Sequence, residues 1–366
     1  MPCLSVSPLS VFLFLLCGVF SAGVGADGRE LLYAFTVTNS EDDDLTGFRD
    51  AAGQVVIPPK FTAYLTPAKR FDAIIAVHEP GADGAFGRSY YLTRTGREVG
   101  KGEMHVFDNA FDCESEGFIR FRRRDTDKVG LFDRSGDIAI PADYDEMSRV
   151  TNGMVAALQD SRKIIHGEHY SRSGGKSMLL DTQNRVLVTP FVERLLYELD
   201  FTDLTISDTP DPAPERVNLQ GVDGRYYAFA HLEKSFRRWL ETALPENFDH
   251  AALSSVLFEH VVFSDRTEGS SSIMDKASFA DRYLALIRDR LAVLRHPDAD
   301  YFIVQNSISS FSDLPGSEKY RDNCGDLSTR HPVMALIINY PNEPLRQDHF
   351  YFLRTEQGYR LIEAAL

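Results

Sequence analysis

One pattern recurs along the first half of the chain and constrains it more than any other feature. Residues 47–58 read GFRDAAGQVVIP, 90–99 read YYLTRTGREV, 130–141 read GLFDRSGDIAIP and 178–190 read MLLDTQNRVLVTP. Each copy has an apolar pair, a polar turn opener, two further residues and then Gly or Asn. Asp50, Asp133 and Asp181 stand where a carboxylate accepts a backbone N–H two residues on, with Thr93 in that place in the second copy. Gly53, Gly96, Gly136 and Asn184 stand where φ turns positive, a conformation that Gly and Asn tolerate best. An apolar strand follows, and Pro58, Pro141 and Pro190 end it, because proline cannot donate to a ladder. The turns lie about 40 to 48 residues apart. That period predicts four imperfect antiparallel units of three strands, stacked in a row or an arc.

The third copy, Asp127-Lys128-Val129-Gly130-Leu131-Phe132-Asp133-Arg134-Ser135-Gly136 with Ile140-Pro141 and Tyr144-Asp145-Glu146, resembles the WG repeat of bacterial proteins. Val129 stands where that repeat has its Trp. The first copy keeps Gly47, Gly53, Ile57-Pro58 and Phe61, with Thr46 in the Trp position. The resemblance covers residues ~30–200. It implies a β platform for binding and assigns no catalytic residue.

The texture changes after residue 205. Thr209-Pro210-Asp211-Pro212-Ala213-Pro214 alternates proline as extended linkers do, which sets a linker at 206–224 between a β domain at 27–205 and a second domain at 225–366. Beyond it the apolar period lengthens: Phe229, Leu232, Phe236, Trp239, Leu240 and Ala243 fall on one helical face. A short helix is expected over 249–257, then a strand at Glu259–Phe263. A longer helix follows, capped by Asp275 and stopping at Pro297. Strands are expected at Tyr301–Asn306, Pro332–Tyr340, Asp348–Thr355 and Tyr359–Ala364. The fold class read from this order is β plus α+β, with the C-terminal helices packed on a curved antiparallel sheet. The order is similar to the cone-shaped superfamily of nuclear transport factor two and ketosteroid isomerase. That superfamily hosts enzymes and binding modules alike.

The first 26 residues contain no Asp, Glu, Lys or Arg; they hold the apolar run Leu9–Phe20 and end Val24-Gly25-Ala26. This predicts a cleaved secretory signal and a periplasmic or secreted product. The run is short for a membrane span, which needs about 20 apolar residues. A retained anchor, or a lipoprotein formed through Cys17, is the alternative; the bulky Leu15-Leu16 speaks against the latter.

The net charge of −15 opposes nucleic acid and anionic lipid and suits a protein or cell-envelope partner. With Cys3 and Cys17 in the signal, Cys113 and Cys324 remain. Pairing across 211 residues and two separate thiols, one in each half, both fit an oxidising compartment.

No catalytic, cofactor or metal constellation stands out. Gly174-Gly175-Lys176-Ser177 lacks the upstream glycine and following helix of a phosphate loop, and no Gly-x-Ser-x-Gly elbow occurs. His166-Gly167-Glu168-His169 reads as a mobile loop and has no third ligand at motif spacing. Arg120, Arg122, Arg123 and Arg124 read either as an anion contact or as a charged strand edge. His260, His331, His349, Asp265 and Tyr351 sit on expected strands, and His260, His349 and Tyr351 are candidates to line a pocket between sheet and helices. The function expected from these features is that of an exported, non-enzymatic binding protein. Alternatives are a periplasmic immunity protein that neutralises a toxin, and a small-ligand carrier or enzyme using the C-terminal pocket.

Overall fold

A computed structural model describes residues 30–39, 43–81, 87–306, 314–340, 343 and 346–366. The expected signal at 1–26, with Cys3 and Cys17, lies outside the described residues. The chain is mostly β, in several antiparallel sheets with few helices. No helix among the described residues is long and apolar enough to cross a membrane.

The recurrent hairpins share one register. Strand Asp44–Arg49 pairs with Val55–Thr62 through Thr46↔Phe61, Phe48↔Ile57 and Arg49↔Val55. Strand Val129–Phe132 pairs with Ile138–Tyr144 through the equivalent Val129↔Tyr144, Leu131↔Ile140 and Phe132↔Ile138. Strand Lys176–Asp181 repeats the last two steps, Leu179↔Val188 and Leu180↔Val186, against Val186–Val188. In the copy at Arg88–Thr93 the pairing Tyr91↔Val99 and Leu92↔Glu98 runs without a bulge.

The turn chemistry explains the register. Asp133 Oδ1 accepts from Ser135 N at 2.8 Å and Asp137 N at 3.0 Å, and Asp181 Oδ1 makes the matching pair with Gln183 N and Arg185 N. Gly53, Gly96, Gly136 and Asn184 all have positive φ. The strand does not end at Pro58 or Pro141 but bulges there: residues 58–60 face Gly47 alone and residues 141–143 face Gly130 alone, so each glycine lies inside the bulge. A Cβ at Gly130 would come 2.5 Å from the Ile140 carbonyl oxygen, and one at Gly47 would come 2.6 Å from that of Ile57.

The Pro-rich stretch is not a bare linker. Strands Leu199–Ser207, Arg216–Gln220 and Tyr226–His231 form a three-stranded sheet, joined through the Pro-rich tip at 208–215 and a turn at 221–225. Phe229 therefore belongs to a strand rather than to the helix. Apolar spacing alone could not see the register that Tyr226–His231 finds between the other two strands. Phe229 packs with Phe191 and Phe201, alongside Met154 and Leu179 of the preceding hairpins.

After a one-turn helix α1 (Leu195–Glu198), the helices are α2 (Leu232–Ala243), α3 (His250–Val256) and α4 (Lys276–Ala292). Asp275 caps α4 by accepting from Ala277 N and Ser278 N, each at 3.0 Å. A six-stranded sheet runs in the order Ser270–Asp275, Leu257–Asp265, Gly358–Ala365, Gln347–Thr355, Val333–Asn339, Tyr301–Asn306. Leu257–Asp265 and Gly358–Ala365 pair parallel and the rest antiparallel. One face packs on α2, α3 and α4 through Phe236, Phe279, Phe350 and Phe352. The other face packs on the segment from Leu314 to Leu327 through Phe258, Tyr320 and Leu353.

That segment joins the two halves of the chain. Cys324 is disulfide-bonded to Cys113, with S–S 2.10 Å and Cα atoms 6.0 Å apart. Lys69 N and Arg70 N donate to Asn323 O, Arg149 pairs with Asp322, and Arg330 pairs with Glu116 at 2.9 Å.

Candidate functional site

Beside this junction opens a cleft of about 1190 Å³. Its walls are a hairpin at Val106–Phe111, the stretch from Glu146 to Leu158, a second hairpin at Arg162–Ser173, and the segment from Phe191 to Phe201. Gln305, Thr329 and Pro332 close it from the other half of the chain.

The first hairpin turns through Asp108 and Asn109, both with positive φ, the backbone of a tight two-residue turn. Its tip carries Phe107, 78% exposed. Its foot is polar and buried: His105, Asp112, Cys113 and Glu114 are all shielded from water. Asp112 accepts from Arg120 Nη2 at 2.7 Å and Nε at 2.9 Å, and from Arg149 Nε at 3.2 Å. Burial pushes the Asp112 carboxyl up, but the Arg120 guanidinium outweighs it and holds the group well below the usual range. Arg120 also donates to the Met147 carbonyl at 2.7 Å. Glu114 accepts from Gly117 N and Asn323 Nδ2, yet burial dominates and lifts its carboxyl to about 7.

His105 lines the cleft at 5% exposure, and neither ring nitrogen has a hydrogen-bond partner among the described residues. Burial, seconded by the Arg120 charge, lowers its pKa to about 3, so the ring is neutral. A neutral imidazole offers one donor and one acceptor.

The second hairpin is held down by charge. Arg172 bonds Glu146 at 3.3 Å and lies 3.7 Å from Asp145, Lys163 pairs with Asp127 at 2.8 Å, and Tyr170 donates to Glu146 at 3.0 Å. His166 and His169 face each other across its exposed tip. The stretch expected as a mobile loop is thus a paired hairpin, because Gly167 with positive φ turns it tightly. Among the described residues no three His, Cys, Asp or Glu side chains group as metal ligands.

The arginine run is taken up by intramolecular partners, with Arg120 and Arg122 partly buried and Arg123 and Arg124 exposed. Arg120 meets Asp112; Arg122 meets Asp127 and Glu146; Arg123 meets Asp125; Arg124 donates to the Gly102 carbonyl. His349 and Tyr351 are brought together, Nδ1 and the hydroxyl being 3.0 Å apart, but not between sheet and helices. Alternation along Gln347–Thr355 gives the helix side to Asp348, Phe350 and Phe352, so His349 and Tyr351 face the opposite way. His260 shares that opposite face with Phe258 and Val262, one strand removed. The error is one of face, which a single residue of register decides. His331 bonds the Arg354 carbonyl, and Asp265 accepts from the turn amides of Thr267 and Glu268.

His105, Asp112 and Glu114 went unnoticed in the sequence. The signal was local: Asp108-Asn109 between Val106-Phe107 and Ala110-Phe111 is a hairpin turn, and it brings His105 and Asp112 to one end.

Residues 130–162 match the model of the WG containing repeat. No curated protein and no solved structure matches the chain. The matched WG repeat holds Gly130 and its Ile140-Pro141 bulge, then runs on through Glu146, Arg149 and Met154, so it forms a wall of the cleft.

Proposed function

We propose that this chain is an exported binding protein without catalytic function, and that the cleft docks a segment of a protein partner. The observation that carries the reading is the aromatic rim. Phe107, Tyr170 and Tyr197 come from three separate elements, border one cleft, and are 78%, 44% and 68% exposed. Large rings left in water around a single concavity mark an interaction site, and aromatic anchors dominate binding energy at protein interfaces. The cleft also exceeds the roughly 300–1,000 Å³ usual for a small ligand. The WG repeat in its wall and the recurrent hairpins before it support a β-repeat platform. The helices on one face of the six-stranded sheet support a cone-like α+β domain. Export fits the first 26 residues and the Cys113–Cys324 pair, since such bonds persist in oxidising compartments. The carrier reading lacks comparable support: Phe236, Phe279, Phe350 and Phe352 fill the space between helices and sheet.

A photo-crosslinking residue at position 197 tests the reading, with position 55, on an exposed strand outside the cleft, as control. The expected result is a discrete adduct from position 197 alone, whose protein component, once identified and purified, binds the purified chain. Adducts of equal yield from both positions overturn it.

A further inference from the structure

We infer that the segment docked in the cleft is extended and basic, carrying Lys or Arg side chains to the rim while its backbone reaches His105. The inference rests on the docking reading above and adds the chemistry of the partner.

Charge is distributed unevenly over the cleft. The cations that line it are consumed from within: Arg120 by Asp112 and the Met147 carbonyl, Arg149 by Asp112 and Asp322, Arg172 by Glu146 and Asp145. The outer anions are not. Asp108, Glu168 and Glu193 line the cleft, are exposed, and make no side-chain hydrogen bond or ion pair among the described residues. Each is close in sequence to an exposed ring on the same stretch of cleft wall. Asp108 follows Phe107 at the hairpin tip, Glu168 is two residues from Tyr170, and Glu193 is four residues from Tyr197. A carboxylate beside an aromatic face suits an ammonium or guanidinium group, which gains an ion pair and a cation–π contact together. The chain already uses this chemistry on itself, with Lys163 Nζ 4.2 Å from the centre of the Tyr170 ring.

His105 is an independent observation. It is nine-tenths buried, faces the cleft, and has both nitrogens without partners among the described residues. Leaving such a group unsatisfied is costly, so a ligand that satisfies it gains. One donor and one acceptor match the carbonyl and amide of an extended backbone. A ring that stays neutral offers an anionic ligand a hydrogen bond but no positive charge. The −15 charge of the whole chain adds long-range attraction of the same sign.

The test uses the oxidised full-length mature chain and two fluorescein-labelled twelve-residue Gly/Ser peptides, one with four Arg and one with four Glu, read by anisotropy. The Arg peptide is expected to bind at least tenfold more tightly. The D108N/E168Q/E193Q variant, altered only at exposed positions, is expected to lose at least tenfold for the Arg peptide and most of its salt dependence. His105→Gln is expected to weaken it several-fold with that salt dependence intact. Equal binding of the two peptides, or an unchanged triple variant, overturns the inference. If position 197 still crosslinks a partner that the Arg peptide fails to displace, the basic-segment inference falls and the docking reading stands. If no partner crosslinks there, the docking reading falls.

Discussion

Cys113 and Cys324 are bonded across 211 residues and fix the foot of the Val106–Phe111 hairpin against the turn at Asp322–Asp326. A loop of that length leaves the reduced, unfolded chain much freer than the oxidised one. Chain-entropy arguments put the difference at about 5 kcal/mol, and measured values are generally lower, about 2–4 kcal/mol. The C113S/C324S variant is therefore expected to unfold at lower urea, by about 3 kcal/mol. Since the bond also seats the hairpin, protease cleavage near Asp108 should quicken. Unchanged urea midpoint and cleavage rate would refute this.

Asp112 and Arg120 form a buried pair beside that bond. Asp112→Asn leaves the Arg120 guanidinium without its anion, and breaking a buried pair from one side costs about 3–5 kcal/mol. D112N/R120M removes both charges and should recover most of the loss, a non-additivity measurable as a double-mutant cycle. Because the Asp112 carboxyl is held low in the folded chain, its contribution is complete above the ordinary Asp range near pH 4. It fades as pH falls below that range. Urea titrations at pH 3 and pH 6 should show the pair's coupling shrinking on the acid side; additive single variants at pH 6 would rule out the pair.

Glu114, two residues on, has the opposite sign. Its carboxyl is lifted to about 7 by burial, so the folded chain holds the proton more tightly than the unfolded one. Its favourable contribution is full below the ordinary Glu value near pH 4.5, falls as pH rises to 7, and is gone above. Glu114→Gln removes that slope. Relative to the parent, the variant should gain about 2.5 kcal/mol between pH 5 and pH 8. Parallel pH–stability curves for the two proteins would contradict the assignment.

These two carboxylates show what the sequence could and could not disclose. The recurrent hairpins were legible because Asp133, Gly136 and the Ile140-Pro141 step act within a dozen residues, through turn geometry that each residue carries with it. The capped α4 and the closing strands were legible for the same reason. The cleft was not. The Asp108-Asn109 turn sets His105 near Asp112, but Asp112 meets Arg149 from 37 residues away and Glu114 meets Asn323 only across the 211-residue bond, contacts that no local pattern carries. The facing of His260, His349 and Tyr351 turned on one residue of strand phase. The Pro-rich stretch hid strand Arg216–Gln220, whose place is set by its partner, Tyr226–His231, rather than by its own composition.

The glycines of the matched repeat separate two kinds of requirement. Gly136 has positive φ at the turn, whereas Gly130 lies inside the bulge, where a Cβ would meet the Ile140 carbonyl oxygen at 2.5 Å and Ala142 N at 2.8 Å. Those contacts are backbone and cannot rotate aside. Gly130→Ala must therefore open the bulge, at a cost of about 1–3 kcal/mol by analogy with overpacked cores. The first copy gives an internal control. Gly47 is enclosed by Ile57 and Pro58 in the same way, while Gly53 has positive φ and nothing within 4 Å of its added Cβ. Gly53→Asn, suited to that φ, should cost under about 1 kcal/mol, and Gly47→Ala should cost as much as Gly130→Ala. Thermal unfolding of the three variants decides the matter: if G53N is as damaging as G47A and G130A, conformation at the turn rather than closeness at the bulge is what the glycines supply.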